Sequence, residues 1–144
     1  MKRLEYWDTR SFHDFLAERA AMPFAWGTND CALFAADGIQ AITGVDIADD
    51  FRGKYSDEVG AWKTVRNLTG GSTVADAAAY CAVKHGLAEL ERPLMAQRGD
   101  LVVFENEGGL IAGLVHLSGR HVVSVSEAGL VRFPVTAIAR AWHV

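Results

Sequence analysis

Apolar positions before Pro93 recur at intervals of three and four, whereas after Pro93 they gather in short continuous runs separated by glycine-containing turns. The first pattern is that of amphipathic helices and the second that of β-strands. Phe12, Phe15, Leu16 and Ala20 give one apolar face to a helix expected over about residues 10–21, with Thr9 as its cap and Pro23 past its end. A second helix is expected from Cys31 to about Thr43, where Gly44 stops it. Gly38 inside it costs ~1 kcal/mol relative to alanine and is read as marking a close packing contact. Ser56 is expected to open a third helix that runs to about Leu68, with Val59, Trp62 and Val65 as its inner stripe and Gly70-Gly71 as its close. Ser72 is expected to cap a fourth, in which Val74, Ala78, Cys81 and Ala82 line one face before Gly86. Cys81, in the middle of that stripe, reads as a core residue.

Gly99-Asp100 is a turn pair ahead of a strand at Leu101–Phe104, and Glu105–Gly109 reads as a polar loop. Leu110–Leu117 and Arg120–Ser126 form the next two strands, joined by Ser118-Gly119 as a two-residue hairpin turn. Glu127-Ala128-Gly129 turns into Leu130–Phe133, Pro134 begins a short connection, and Arg140–His143 closes as a last strand. Helices followed by antiparallel strands make an α+β domain, with a helical half at about 9–86 and a sheet half at about 99–144. One face of the sheet is expected to pack on the Cys31 helix.

A chain of 144 residues with half its positions hydrophobic fits one domain, 1–144. The net charge of −4 and the pI near 5.7 argue against sequence-independent nucleic-acid binding, which needs a basic footprint. The polar start, Met1-Lys2-Arg3-Leu4-Glu5, does not resemble a signal peptide, and no run approaches the ~20 apolar residues of a membrane span. Cytoplasmic synthesis and two free thiols are therefore expected.

The stretch Pro23-Phe24-Ala25-Trp26-Gly27-Thr28-Asn29-Asp30-Cys31 carries the candidate chemistry. Asn29 or Asp30 reads as an N-cap, which makes Cys31 the first or second residue of a helix. The free N–H groups and the helix dipole favour a thiolate there and can draw a cysteine pKa from ~8.5 toward ~7.

That stretch resembles the Pro-Tyr-x-Trp-Gly … Asp-Cys-Ser-Gly motif of NlpC-type, papain-like cell-wall cysteine peptidases. Gly99-Asp100-Leu101-Val102-Val103-Phe104 is similar to the same superfamily's Gly-Asp-Leu-Val-Phe-Phe strand, and the likeness spans about residues 10 to 126. The ending Gly129-Leu130-Val131-Arg132-Phe133-Pro134 and Arg140-Ala141-Trp142-His143-Val144 resembles a phage and prophage branch of that superfamily. The resemblance implies a papain-like domain with Cys31 as nucleophile and Asp30 as a substrate contact or helix cap. It also implies peptidoglycan peptides or phage tail proteins as partners, incorporation in a virion tail, and no cofactor or metal.

In the active family a histidine on the facing sheet takes the thiol proton and a third polar residue orients it. The resemblance puts those two positions at Ile111 and Val123, neither of which can do either task. Phe24 stands where the family has a tyrosine, and Ala32-Leu33 where it has Ser-Gly. With Ser118-Gly119 as the turn, His116 and His121 become cross-strand neighbours and are the remaining base candidates. They lie five residues from position 111, ~16 Å at strand rise. His13, His85 and His143 read as solvated or capping side chains, and no HExxH or Cys-x-x-Cys spacing suggests a metal site. Two functions follow: a degenerate peptidase fold kept for a structural role at a phage tail tip, or an active cysteine peptidase or amidase on peptidoglycan peptides. A redox-sensing thiol is a third reading, with no resolving cysteine nearby in sequence. Trp26, Trp62 and Trp142 are expected in the core, and any that is exposed points to an interface.

Overall fold

The computed structural model describes every residue from Met1 to Val144. Four helices precede five strands: α1 (Ser11–Arg19), α2 (Cys31–Thr43), α3 (Glu58–Thr69) and α4 (Val74–His85), then β1 (Leu101–Asn106), β2 (Gly109–Val115), β3 (His121–Ser126), β4 (Gly129–Pro134) and β5 (Ile138–Trp142). The strands form one antiparallel sheet in the order β4-β3-β2-β1-β5. The expected α+β order and layout hold. No helix is long and apolar enough to cross a membrane.

The core lies between the helices and one face of the sheet. Leu101, Val103, Ala112, Leu114, Val123 and Val125 point to the helices, while Val102, Phe104, Val115 and Val122 alternate to the other face and form a second, smaller cluster. This is the period of two that a pleated strand imposes. The centre of the first cluster is α2, which packs on β2, β3 and α1 and buries Leu33, Phe34, Ile39 and Ile42 almost completely. Burial of each such side chain is worth ~1.5–3 kcal/mol. Gly38 is the close approach anticipated from the sequence: an added Cβ would strike Leu114 Cδ1 of β2 and stand 3.2 Å from the Phe15 ring of α1.

Several boundaries differ from expectation, each for a local reason. α1 begins at Ser11 with Arg10 at its N-cap and no side-chain cap, because a run of turns from Glu5 to Arg10 brings the chain in. Asp57 rather than Ser56 caps α3, and Thr73 rather than Ser72 caps α4; Thr73 and Asp76 form a reciprocal capping box. The inner face of α3 is Ala61 and Val65, whereas Val59 is exposed and Trp62 half-exposed, so the expected stripe is turned partly to solvent. Glu105 and Asn106 are not loop but strand, pairing with Leu110 and Gly109. The connection shrinks to Glu107-Gly108, both with positive φ (52° and 79°), as a type I′ hairpin turn requires. β2 stops at Val115, so Leu117–Arg120 turns as a unit and not as Ser118-Gly119 alone.

Asp100, the acid of the Gly-Asp turn, is only 1% exposed and ties the two ends of the chain together. It accepts hydrogen bonds from the Arg3 guanidinium (3.0 Å), the Val144 N–H (3.0 Å) and the Gln97 N–H (2.8 Å), with His143 Nδ1 at 3.1 Å. Arg3 also donates to the Val144 and Arg98 carbonyls.

Candidate functional site

The approach to Cys31 is held by polar side chains that water barely reaches. Asn29 is buried and donates from Nδ2 to the carbonyls of Pro23 (3.0 Å) and Met22 (3.3 Å), while its Oδ1 accepts from Arg19 at 3.0 Å. Arg19 also pairs with Asp37 of α2 at 2.6 Å, and Asp37 pairs with Arg52, which in turn grips Asp46. Ala25 and Asn29 exchange backbone hydrogen bonds across the turn. Gly27 occupies that turn with φ 83°, and a Cβ there would collide with the Tyr55 carbonyl. Phe24 and Trp26 stack edge to face with ring centres 5.0 Å apart.

Asp30, one of the two expected caps, is the N-cap of α2 and makes Cys31 its first residue. Its Oδ1 accepts from the Leu33 N–H at 2.9 Å. Its Oδ2 accepts from the Gly27 N–H at 2.9 Å and from the Tyr55 hydroxyl at 2.7 Å. The carboxylate, 1% exposed, is thus fully engaged in shaping the loop. Tyr55 carries no sequence signal for this role; its hydroxyl pKa is pushed up by burial and by the Asp30 charge that it faces.

Cys31 lies against β2. Burial is the main effect on the Cys31 thiol and the Asp30 charge adds to it; the backbone of Ala112, Ala32 and Cys31 itself favours the thiolate but is outweighed, so the thiol is pushed up to about 11. The expectation of a depressed pKa is therefore overturned: the helix start is present, but the carboxylate that caps it and the surrounding apolar wall act in the opposite direction. Cys81 on α4 is core, as expected, with its thiol pushed up to about 12 by burial.

The two positions that the resemblance assigns to a base and its partner carry apolar side chains. Ile111 shares the cavity wall with Cys31 and Ala112 and also packs with the outer cluster of the sheet. Val123 pairs with Leu114, not with the strand position beside Cys31. His116 and His121 are opposed, as the hairpin predicts: the His116 N–H donates to the His121 carbonyl at 2.8 Å. They sit at the far end of β2, four residues from Ala112, ~13 Å at strand rise. Their ring nitrogens engage Ser118, and burial holds the His116 pKa below its ordinary value. His13 faces Asp14, His85 faces Asp49 and His143 faces Asp100. No group of three or more His, Cys, Asp or Glu side chains is arranged to hold a metal ion.

Cys31 and Cys81 open onto one cavity of about 380 Å³ between α2, α3, α4 and the ends of two hairpins. Its walls are mostly apolar, with Phe24, Trp26, Tyr55 and Trp62 supplying aromatic surface, and no histidine, lysine or arginine lines it. The sequence did not reveal this space, because its walls come from segments far apart in the chain.

The family model of a domain of unknown function, DUF6950, matches residues 2–144, and the chain belongs to that family. A search of curated proteins finds no match.

Proposed function

We propose that the chain is a catalytically silent relative of the NlpC-type papain-like peptidases, serving a structural or assembly role at a phage tail tip. The observation that carries this reading is the environment of Cys31: a thiol pushed up to about 11, in a cavity with no imidazole on its walls. A cysteine nucleophile needs a base or a low pKa, and loss of a general base costs ~10²–10⁴ in rate. The order of helices then antiparallel sheet, with the cysteine opening a helix packed on β2, is consistent with a papain-like domain. The tail-tip role rests on the likeness of residues 129–144 to the phage branch.

The second reading, an active peptidase or amidase with Cys31 as nucleophile, draws on the place of Cys31 at the start of α2 and on the backbone groups that favour its thiolate. Burial and the capping Asp30 oppose them, which is why it ranks second.

Two experiments test the proposal. Incubation with purified muropeptides, read by mass spectrometry, is expected to give the same result for the protein and for Cys31→Ala; a product that needs Cys31 overturns the silent reading. Mass spectrometry of purified virions from a phage encoding this chain is expected to find it in stoichiometric copies, and its absence from the particle removes the tail-tip role.

A further inference from the structure

The cavity has a charge character that the thiol chemistry does not use. Glu58 at the start of α3, Glu107 in the β1–β2 turn and Glu127 in the β3–β4 turn all stand on its wall. None of the three takes part in an ion pair. No cationic side chain lies on the wall to balance them. The three glutamates are exposed and come from separate elements that the fold brings to one cavity, so they are not a local acidic run. Behind them the walls are apolar and aromatic. Trp26, Tyr55 and Trp62 supply aromatic surface to those walls, of the kind to which ammonium groups are attracted, and the volume of about 380 Å³ lies in the range of small-molecule sites.

We infer that this cavity binds a small cationic amphiphile: an aliphatic or aromatic body in the apolar interior and an ammonium group among Glu58, Glu107 and Glu127. An anionic amphiphile of the same length meets three uncompensated carboxylates and is repelled. The inference rests on the reading of the cavity as a binding site rather than a catalytic one.

Calorimetric titration of the full chain with n-decylammonium and n-decanoate, each below its micelle concentration, tests this directly. One decylammonium per chain is expected to bind at least tenfold more tightly than decanoate. Glu107→Gln combined with Glu127→Gln, both at exposed turn positions, is expected to reduce that preference at least threefold while the melting temperature stays near that of the parent. Decylammonium is also expected to slow N-ethylmaleimide labelling of Cys31 and Cys81, which locates it in the cavity that both thiols share. Equal binding of the two ions, tighter decanoate binding, no binding of either, or binding that leaves both labelling rates unchanged each overturns the inference. Muropeptide hydrolysis that depends on Cys31 overturns the silent-thiol reading whatever the calorimetry gives, so the two failures are told apart.

Discussion

The Tyr55 hydroxyl donates a 2.7 Å hydrogen bond to the Asp30 carboxylate, which also caps α2 through the Leu33 N–H and holds the Gly27 turn. One acid therefore fixes the start of the cysteine helix, the loop before it and the segment ahead of α3. The same acid keeps negative charge beside the Cys31 sulfur. The geometry that positions the thiol thus also suppresses its ionisation. Tyr55→Phe removes one donor from a buried carboxylate and is expected to destabilise the domain by ~1–3 kcal/mol, read as a lower urea midpoint with an unchanged m-value.

Asp100 has a comparable role between the chain ends. Asp100→Ala strips a partner from the half-buried Arg3 guanidinium and from the N–H groups of Gln97 and Val144. Removing one partner of a buried ion pair costs ~3–5 kcal/mol. Equilibrium urea unfolding is expected to show a loss of that size, and a loss below about 1 kcal/mol contradicts the assignment of Asp100 as the clamp.

Gly38 gives a test with competing signs. Alanine there gains ~1 kcal/mol of helix propensity. Its methyl group must also displace the buried Leu114 side chain and press on Phe15, and overpacking of this kind costs ~1–3 kcal/mol. The clash is expected to win, so Gly38→Ala melts lower than the parent in a thermal scan.

Alkaline stability follows from the two thiols, the half-buried Cys31 and the buried Cys81. Both have folded pKa values, about 11 for Cys31 and about 12 for Cys81, above the ordinary ~8.5 of a free thiol. The folded state holds these protons more tightly than the unfolded chain does. Their contribution is therefore complete below pH ~8.5 and is lost as pH rises toward the folded values. Urea midpoints measured from pH 8 upward are expected to fall, with a shallower slope in the Cys31→Ala, Cys81→Ala double variant. Tyr55, Tyr80 and Lys84, whose pKa values are also raised, contribute to the slope that remains.

Legibility in the sequence divides along local and non-local lines. The helix that opens at Cys31, its cap at Asn29 or Asp30 and its Gly44 stop are readable because each depends on residues a few positions apart, and a glycine inside a helix marks the close contact at Gly38 without naming its partners. Caps at Ser56 and Ser72 missed by one because Ser56-Asp57 and Ser72-Thr73 each offer two competent capping residues. The stripe on α3 missed because Val59, Trp62 and Val65 share a helical spacing with Ala61, Val65 and Leu68, and only packing against the rest of the core selects between them. Glu105-Asn106 has a loop composition, yet the ladder to Leu110 and Gly109 makes it strand. At the site, Tyr55, Arg19 and the three unpaired glutamates reach the cavity or its approach loop through tertiary structure alone. The direction of the Cys31 pKa differs from the sequence expectation for the same reason: the helix start is local, but the wall that desolvates the sulfur is not.

The pH dependence of Cys31 alkylation, followed by peptide-resolved mass spectrometry with iodoacetamide, tests the central claim most directly. A thiol held near 11 gives a rate that climbs about tenfold per pH unit from neutrality to pH ~10 without levelling. A rate that is already on a plateau at pH ~7 contradicts it, and identifies Cys31 as an activated nucleophile.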